Sequence, residues 1–168
     1  STGIGGGGHL AGEMFSILSG AQFNHVPYKG SAPALVDLLG GQLAFTFDTV
    51  LTASPLIQEK RLKAFAVSGP TRARSLPNIP TMQEAGFKDF DITQFIGLLA
   101  PAGTDPAIIE RLNAASVQAV KDPEVIEALQ TKGGNDLVGS SSVQFAELIK
   151  RELAMYSTLI KRAGIKAE

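Results

Sequence analysis

A strand-turn-helix pattern over residues 25–42 constrains the fold of this chain more than any other feature. It reads HVPYKGSAPALVDLLGGQ, a short apolar stretch followed by a polar turn and then by helical periodicity. Ser31 is predicted to cap the helix, and Pro33 suits its first turn, where a missing N–H costs nothing. Because the first turn of a helix carries unpaired N–H donors and partial positive charge, this junction can hold an anion, most simply a carboxylate. The alternative interpretation is a helix that Ser31 merely caps.

A second loop-to-helix junction of the same kind opens the chain. Residues 1–8 read STGIGGGG, and an amphipathic helix is predicted to follow near 9–19. Leu10, Met14 and Phe15 supply its buried face. The sequence therefore offers two helix N-termini, each preceded by a glycine-containing loop.

Strand and helix patterns alternate along the first hundred residues. Strands are predicted near 23–28, 43–47, 62–68 and 92–100, and further helices near 32–39 and 49–60. Gly40 and Gly41 are predicted to end the second helix. Later helices are predicted to begin at Asp105-Pro106, at Asp122-Pro123 and in the serines at 140–142. The alternation predicts an α/β fold with a mostly parallel sheet flanked by helices.

The order of four motifs resembles that of a known family. They are Ser-Thr-Gly-x-Gly at 1–5, His-Leu-Ala-Gly-Glu at 9–13, Val-Pro-Tyr-Lys-Gly-Ser-Ala-Pro-Ala at 26–34 and Gly-Leu-Leu-Ala-Pro-Ala-Gly at 97–103. Over essentially its whole length the chain resembles the substrate-binding proteins of tripartite tricarboxylate transporters, often called the Bug family.

The resemblance implies a periplasmic-binding-protein-like fold of type II, a three-layer α/β/α architecture in two lobes. Residues 1–95 would form the second, ligand-binding lobe, and residues 96–168 the return strand and C-terminal helices of the first lobe. Family members are about twice as long, so we expect the chain to begin inside a longer protein, without the N-terminal part of the first lobe. The implied protein is a periplasmic receptor, not an enzyme, that binds a small organic acid, a di- or tricarboxylate or an acidic amino acid. It would deliver this ligand to the membrane permease subunits of a transporter.

The resemblance also indicates which loops would bind the ligand. The matching residues are Ser1, Thr2, Gly3, Gly5, Lys29, Gly30, Ser31, Ala32, Asp48 and Thr49. Asp48 stands where an apolar strand ends, the place where ligands meet an open α/β sheet. Its carboxylate would accept a hydrogen bond from an ammonium, a hydroxyl or a water, unless it only caps the following helix. Lys29 is expected to be solvated, with its backbone contributing the recognition.

Other kinds of chemistry have weaker support in the sequence. Residues Gly3–Gly8 satisfy G-x-G-x-x-G, which makes a nucleotide-binding Rossmann-type oxidoreductase the alternative, but no acidic residue follows the second strand. His9 and His25 have no metal-ligand spacing, so packing or surface roles are expected for both. Ser31 lacks the G-x-S-x-G context of a nucleophile. No catalytic residue, metal or cofactor is predicted.

Composition narrows the possible partners. The net charge is −1 over 168 residues with no basic run, which argues against nucleic acid, and the absence of cysteine excludes thiolate metal sites. No apolar stretch is long enough to cross a bilayer. The apolar faces of the helices at 105–163 need cover, because burying each large side chain contributes about 1.5–3 kcal/mol. We therefore expect this chain to form a homodimer or a larger assembly.

Overall fold

The computed structural model describes residues 1–132 and 134–165. Its helices are α1 (Gly7–Ser19), α2 (Ser31–Leu39), α3 (Val50–Gln58), α4 (Pro106–Ala119), α5 (Pro123–Val125) and α6 (Ser142–Ala163). A π-helical segment, Ile126–Lys132, continues directly from α5. The predicted helices are thus confirmed, with α1 beginning at Gly7. Gly133 and residues 166–168, which the predicted segment 96–168 includes, lie outside the described residues.

Local hydrogen bonds begin and end several helices at the predicted residues. Asp105 and Asp122 cap α4 and α5, each accepting a backbone N–H two residues further on at 2.8 Å. Ser141 and Gln144 form a reciprocal capping box at α6, with N–H···O distances of 3.2 and 2.9 Å. At the end of α2 the N–H of Gly41 bonds a helix carbonyl at 3.1 Å. Each of these signals acts within a few residues, which is why sequence alone reveals it.

The predicted parallel sheet is not present as a hydrogen-bonded ladder in the residues that the structure describes. The segments near 23–28, 43–47, 62–66 and 92–100 carry no strand assignment. An isolated parallel bridge joins Val67 to Thr81. Alternating apolar residues favour extended backbone, but a strand also needs a neighbour in register, and that pairing is not encoded locally.

The first of two compact units comprises Ser1–Gln94 and the stretch from Tyr156 onward. It contains a cluster of aromatic rings in contact with one another, which extends from the buried Phe90 to the exposed Phe23: Phe15, Phe23, Phe45, Phe47, Phe87 and Phe90. Phe90 is completely buried. Phe15 lies on α1, so this cluster fixes the helix that follows the first glycine-rich loop.

The second compact unit is Phe95–Met155. Within it, the rings of Phe95 and Phe145 meet edge to face at 5.6 Å. Many of its large apolar side chains are exposed, among them Ile96, Leu98, Leu99, Ile108 and Leu153. Self-association, expected from such faces, stays a prediction, as does the assignment of 96–168 to a different lobe from 1–95. Among the described residues, no helix has the length and apolar character needed to cross a membrane.

Candidate ligand-binding site

Three loops of the first unit contain all of the predicted ligand-binding residues. We call them the glycine loop (1–6), the turn loop (28–32) and the acid loop (47–49). The glycine loop precedes α1, the turn loop precedes and begins α2, and the acid loop precedes α3. Each loop therefore ends at a helix N-terminus.

Backbone hydrogen bonds join the glycine loop to the turn loop. The backbone nitrogen of Ser1 donates to the carbonyl of Val26 at 2.8 Å, and the N–H of Tyr28 donates to the Ser1 carbonyl at 2.9 Å. The N–H of Gly30 donates to the carbonyl of Thr2 at 3.3 Å. The two segments thus run side by side in the same direction, as neighbouring parallel strands do.

Asp48 connects the acid loop to the turn loop. Its Oδ1 accepts three hydrogen bonds, from the Ser31 hydroxyl at 2.7 Å, the Thr49 N–H at 2.7 Å and the Thr52 hydroxyl at 2.9 Å. Its Oδ2 is buried and has no protein hydrogen-bond partner. A buried carboxylate oxygen without a donor is costly, so this atom is suited to a donor that comes from outside the protein.

The structure corrects two predicted roles at these helix ends. Ser31 does not cap α2: it is the first helical residue, and the N-cap is Gly30, whose φ of 108° disfavours side chains. Asp48 does not cap α3 either, because Thr49 occupies that position and accepts the N–H of Thr52. The hydroxyl of Ser31 bonds the carboxylate of Asp48 instead. Charge-assisted bonds of this kind are stronger than a neutral cap.

The first turns of α1 and α2 have no side-chain cap. Both N-caps are glycines, Gly6 and Gly30, and neither helix shows a side-chain cap hydrogen bond. The start of α1 lies directly against the acid loop, since a Cβ on Gly8 would come within 2.6 Å of the Phe47 carbonyl oxygen. The positive ends of two helices therefore adjoin the loops that hold Asp48.

Further charged and titratable groups lie in the loops or beside them. A hydrogen bond from the Tyr28 hydroxyl to Asp37, 2.7 Å long, raises the pKa of Tyr28. Lys29 is exposed, as are three other predicted site residues: Gly5, Ala32 and Thr49.

Three residues beside the loops were not predicted as part of the site. Thr52 donates to Asp48 from the first turn of α3. The rings of His9 and His25 are stacked, with centroids 3.8 Å apart and planes 9° from parallel. Packing or surface roles were expected for both histidines, and the stack shows that they pack, but each ring also contacts the glycine loop. No local sequence signal pairs two histidines on different segments.

Acid is expected to destabilise the fold through His25. Burial first, and then the neighbouring His9, lowers the pKa of His25 from 6.5 to about 4. Between these values the unfolded chain binds more protons than the folded one, so the free energy of unfolding should fall as the pH drops from 6.5 to about 4. Urea denaturation at a series of pH values measures this, with His25→Phe as the control that keeps a ring but cannot titrate. An identical pH dependence in wild type and variant would contradict the prediction.

Solved structures similar to this chain indicate its fold. A structure described as R. palustris Rpa4515 with adipate has a TM-score of 0.81 and 30% identity, covering 96% of this chain and 54% of its own. Another, MatC from Rhodopseudomonas palustris with bound malate, has a TM-score of 0.75 and 28% identity, covering 91% and 53%. A third, described as a TctC solute binding protein from Polaromonas, has a TM-score of 0.80 and 28% identity, covering 96% and 56%. The fold is thus that of part of a solute-binding protein.

The family follows from the sequence comparisons. The family described as Tripartite tricarboxylate transporter family receptor matches residues 1–165. The chain belongs to this family. It is also 33% identical over 163 residues to Protein BugT of Bordetella pertussis, covering 97% of this chain and 50% of that protein.

The chain spans about half the length of Protein BugT and about half the length of the Rpa4515 structure. The family is one of receptors. Neither the family nor the similar structures support the nucleotide-binding alternative suggested by Gly3–Gly8.

Proposed function

We propose that this chain supplies ligand-binding loops of an extracytoplasmic receptor for a small organic acid. The observation that carries the proposal is the buried, unpartnered Oδ2 of Asp48 beside two helix N-termini without side-chain caps. One solved relative holds adipate and another holds malate, which makes a dicarboxylate the first ligand class to test.

Each part of such a ligand would find a matching group. A ligand carboxylate would accept hydrogen bonds from backbone N–H groups at the start of α1 and α2, where the helix charge is positive. A hydroxyl or ammonium on the ligand would donate to Asp48 Oδ2, and a water would do so for a plain dicarboxylate. These are binding contacts, and no step needs a bond to form or break.

The wider role of the receptor is part of the same proposal. Receptors of this family are periplasmic binding proteins that work with a transporter. The bound acid would accordingly be delivered to membrane permease subunits from the periplasm. Residues 1–95 would serve as the ligand-binding lobe and residues 96–168 as part of the other lobe.

Asp48→Asn is expected to reduce affinity for malate about tenfold while changing affinity for succinate less than about threefold. The two acids differ by one hydroxyl, and only malate presents that donor to Oδ2. Asparagine keeps an oxygen that can accept from Ser31, Thr49 and Thr52, so the loops should keep their shape. Isothermal titration calorimetry measures both affinities.

Asp37→Asn is the matched control for the Asp48 substitution. It removes one carboxylate charge from α2, at a residue whose carboxylate accepts a hydrogen bond from the Tyr28 hydroxyl and not from the acid loop. The ratio of malate to succinate affinity should therefore stay unchanged. Equal losses for both acids in Asp48→Asn would show that Asp48 supports the fold and does not select the ligand. Failure of both acids and of adipate to bind the wild type would contradict the proposed function.

A further inference from the structure

The stacked histidines join the glycine loop to two other segments. His9 lies in the first turn of α1 and is buried, with 8% of its surface exposed. Its Nδ1 lies 3.0 Å from the backbone nitrogen of Gly5. On the other ring, Nε2 of His25 lies 2.6 Å from the hydroxyl of Ser1. Both ends of the glycine loop are thus held by an imidazole.

The contact with Gly5 determines where the proton lies on the His9 ring. The N–H of Gly5 donates to His9 Nδ1, so that nitrogen carries no proton and His9 is neutral with its proton on Nε2. On the other ring, Nε2 of His25 shares a hydrogen bond with the Ser1 hydroxyl, which also lies 3.0 Å from the Gly3 carbonyl oxygen. The loop thus holds His9 in one tautomer and contacts His25 through Ser1.

We propose that His9 and His25 are positioning residues that hold the glycine loop in its ligand-binding shape only while His9 is neutral, so that acid releases the bound ligand. This inference rests on the proposed function of the loops. A proton on Nδ1 turns the acceptor of the Gly5 N–H into a donor, and the two N–H groups then repel each other. Histidine changes its charge between about pH 5 and 8, the range in which such a change can act.

The charges around the pair have opposing effects on a cationic His9. Glu13, on the same helix, faces its Nε2 at 3.5 Å and favours the cation. The second ring disfavours positive charge in the pair, since it lowers the pKa of His25 after burial does. A proton on Nδ1 of His9 removes the bond that shapes the loop.

The first test follows the Gly5 amide by NMR without ligand. In the wild type its protection from hydrogen exchange is expected to be lost as the pH falls from about 7.5 to about 5, in step with the ring signals of His9. His9→Asn keeps an acceptor close to the Nδ1 position and cannot titrate, so protection should persist at both pH values. In His9→Leu, which has no acceptor at this position, the Gly5 amide should be unprotected at both pH values. A Gly5 amide that stays protected while the His9 ring titrates would overturn the proposal.

The second test measures the affinity for succinate at the same two pH values. The wild type should lose about tenfold more affinity for succinate at low pH than His9→Asn does. The protonation of succinate itself affects both proteins equally, so it cancels in this comparison. Equal losses in wild type and His9→Asn would overturn the proposal. If no dicarboxylate binds, the function proposed for the loops fails, while the Gly5 amide test still decides the role of His9.

Discussion

Phe90→Ala should lower the free energy of unfolding by about 3–5 kcal/mol, the largest effect that we expect from one side chain. Phe90 is completely buried, and its ring stacks on that of Phe47 at a centroid distance of 5.8 Å. The substitution removes a large apolar side chain and leaves a cavity, and both effects destabilise the folded state. Urea denaturation followed by circular dichroism gives the difference.

Two further variants serve as controls for the Phe90 substitution. Phe65 is 69% exposed, so Phe65→Ala should change the free energy of unfolding by less than about 0.5 kcal/mol. Phe90→Leu retains much of the volume and should cost about 1.5 kcal/mol, which gives a measurable value if the alanine variant does not fold. A loss at Phe90 no larger than that at Phe65 would show that the aromatic cluster is not the core of the first unit.

Gly8→Ala should destabilise the protein by about 1–3 kcal/mol, although alanine is the better helix former. The added Cβ would lie 2.6 Å from the carbonyl oxygen of Phe47. The contacted atom belongs to the backbone of the acid loop and not to the end of a flexible side chain, so backbone must move to relieve the contact. That movement displaces Asp48, the next residue, so affinity for every acid ligand should fall as well. Thermal denaturation and calorimetric titration measure the two effects.

Gly12→Ala is the matched control, the same chemical change on the same helix. A Cβ on Gly12 meets no atom within 4 Å, so the variant should gain up to about 1 kcal/mol from helix propensity. Opposite signs at the two positions are therefore expected. If Gly8→Ala were also stabilising, α1 would not lie against the acid loop as closely as described.

The helices could be predicted from sequence because their signals are local. Asp105, Asp122 and the serine at 141 cap the helices that the pattern places after them. The strands could not be predicted in the same way. Alternating apolar residues favour an extended backbone, but they do not specify the neighbouring strand with which it pairs. For this reason the predicted helices are present in the described residues, whereas the predicted strands do not form a hydrogen-bonded ladder there.

The candidate site was partly predictable for the same reason. Glycine-containing loops before helices are visible in the sequence, and the structure brings three of them together. The partner of Ser31 was not visible, because it lies on another loop and a carboxylate there replaces the local cap. The stacking of His9 on His25 likewise depends on two segments meeting in space. Whether these loops bind an acid stays a proposal.

By itself, the sequence determined where helices begin and end, which loops precede them, and to which family the order of motifs points. These properties depend on hydrogen bonds and periodicity within a few residues. Only the tertiary structure decided that one carboxylate oxygen of Asp48 accepts hydrogen bonds from three neighbouring donors while the other has no protein partner. It alone also decided that two histidines hold the glycine loop. Such contacts join residues far apart in the chain, and their geometry depends on how all the intervening segments pack.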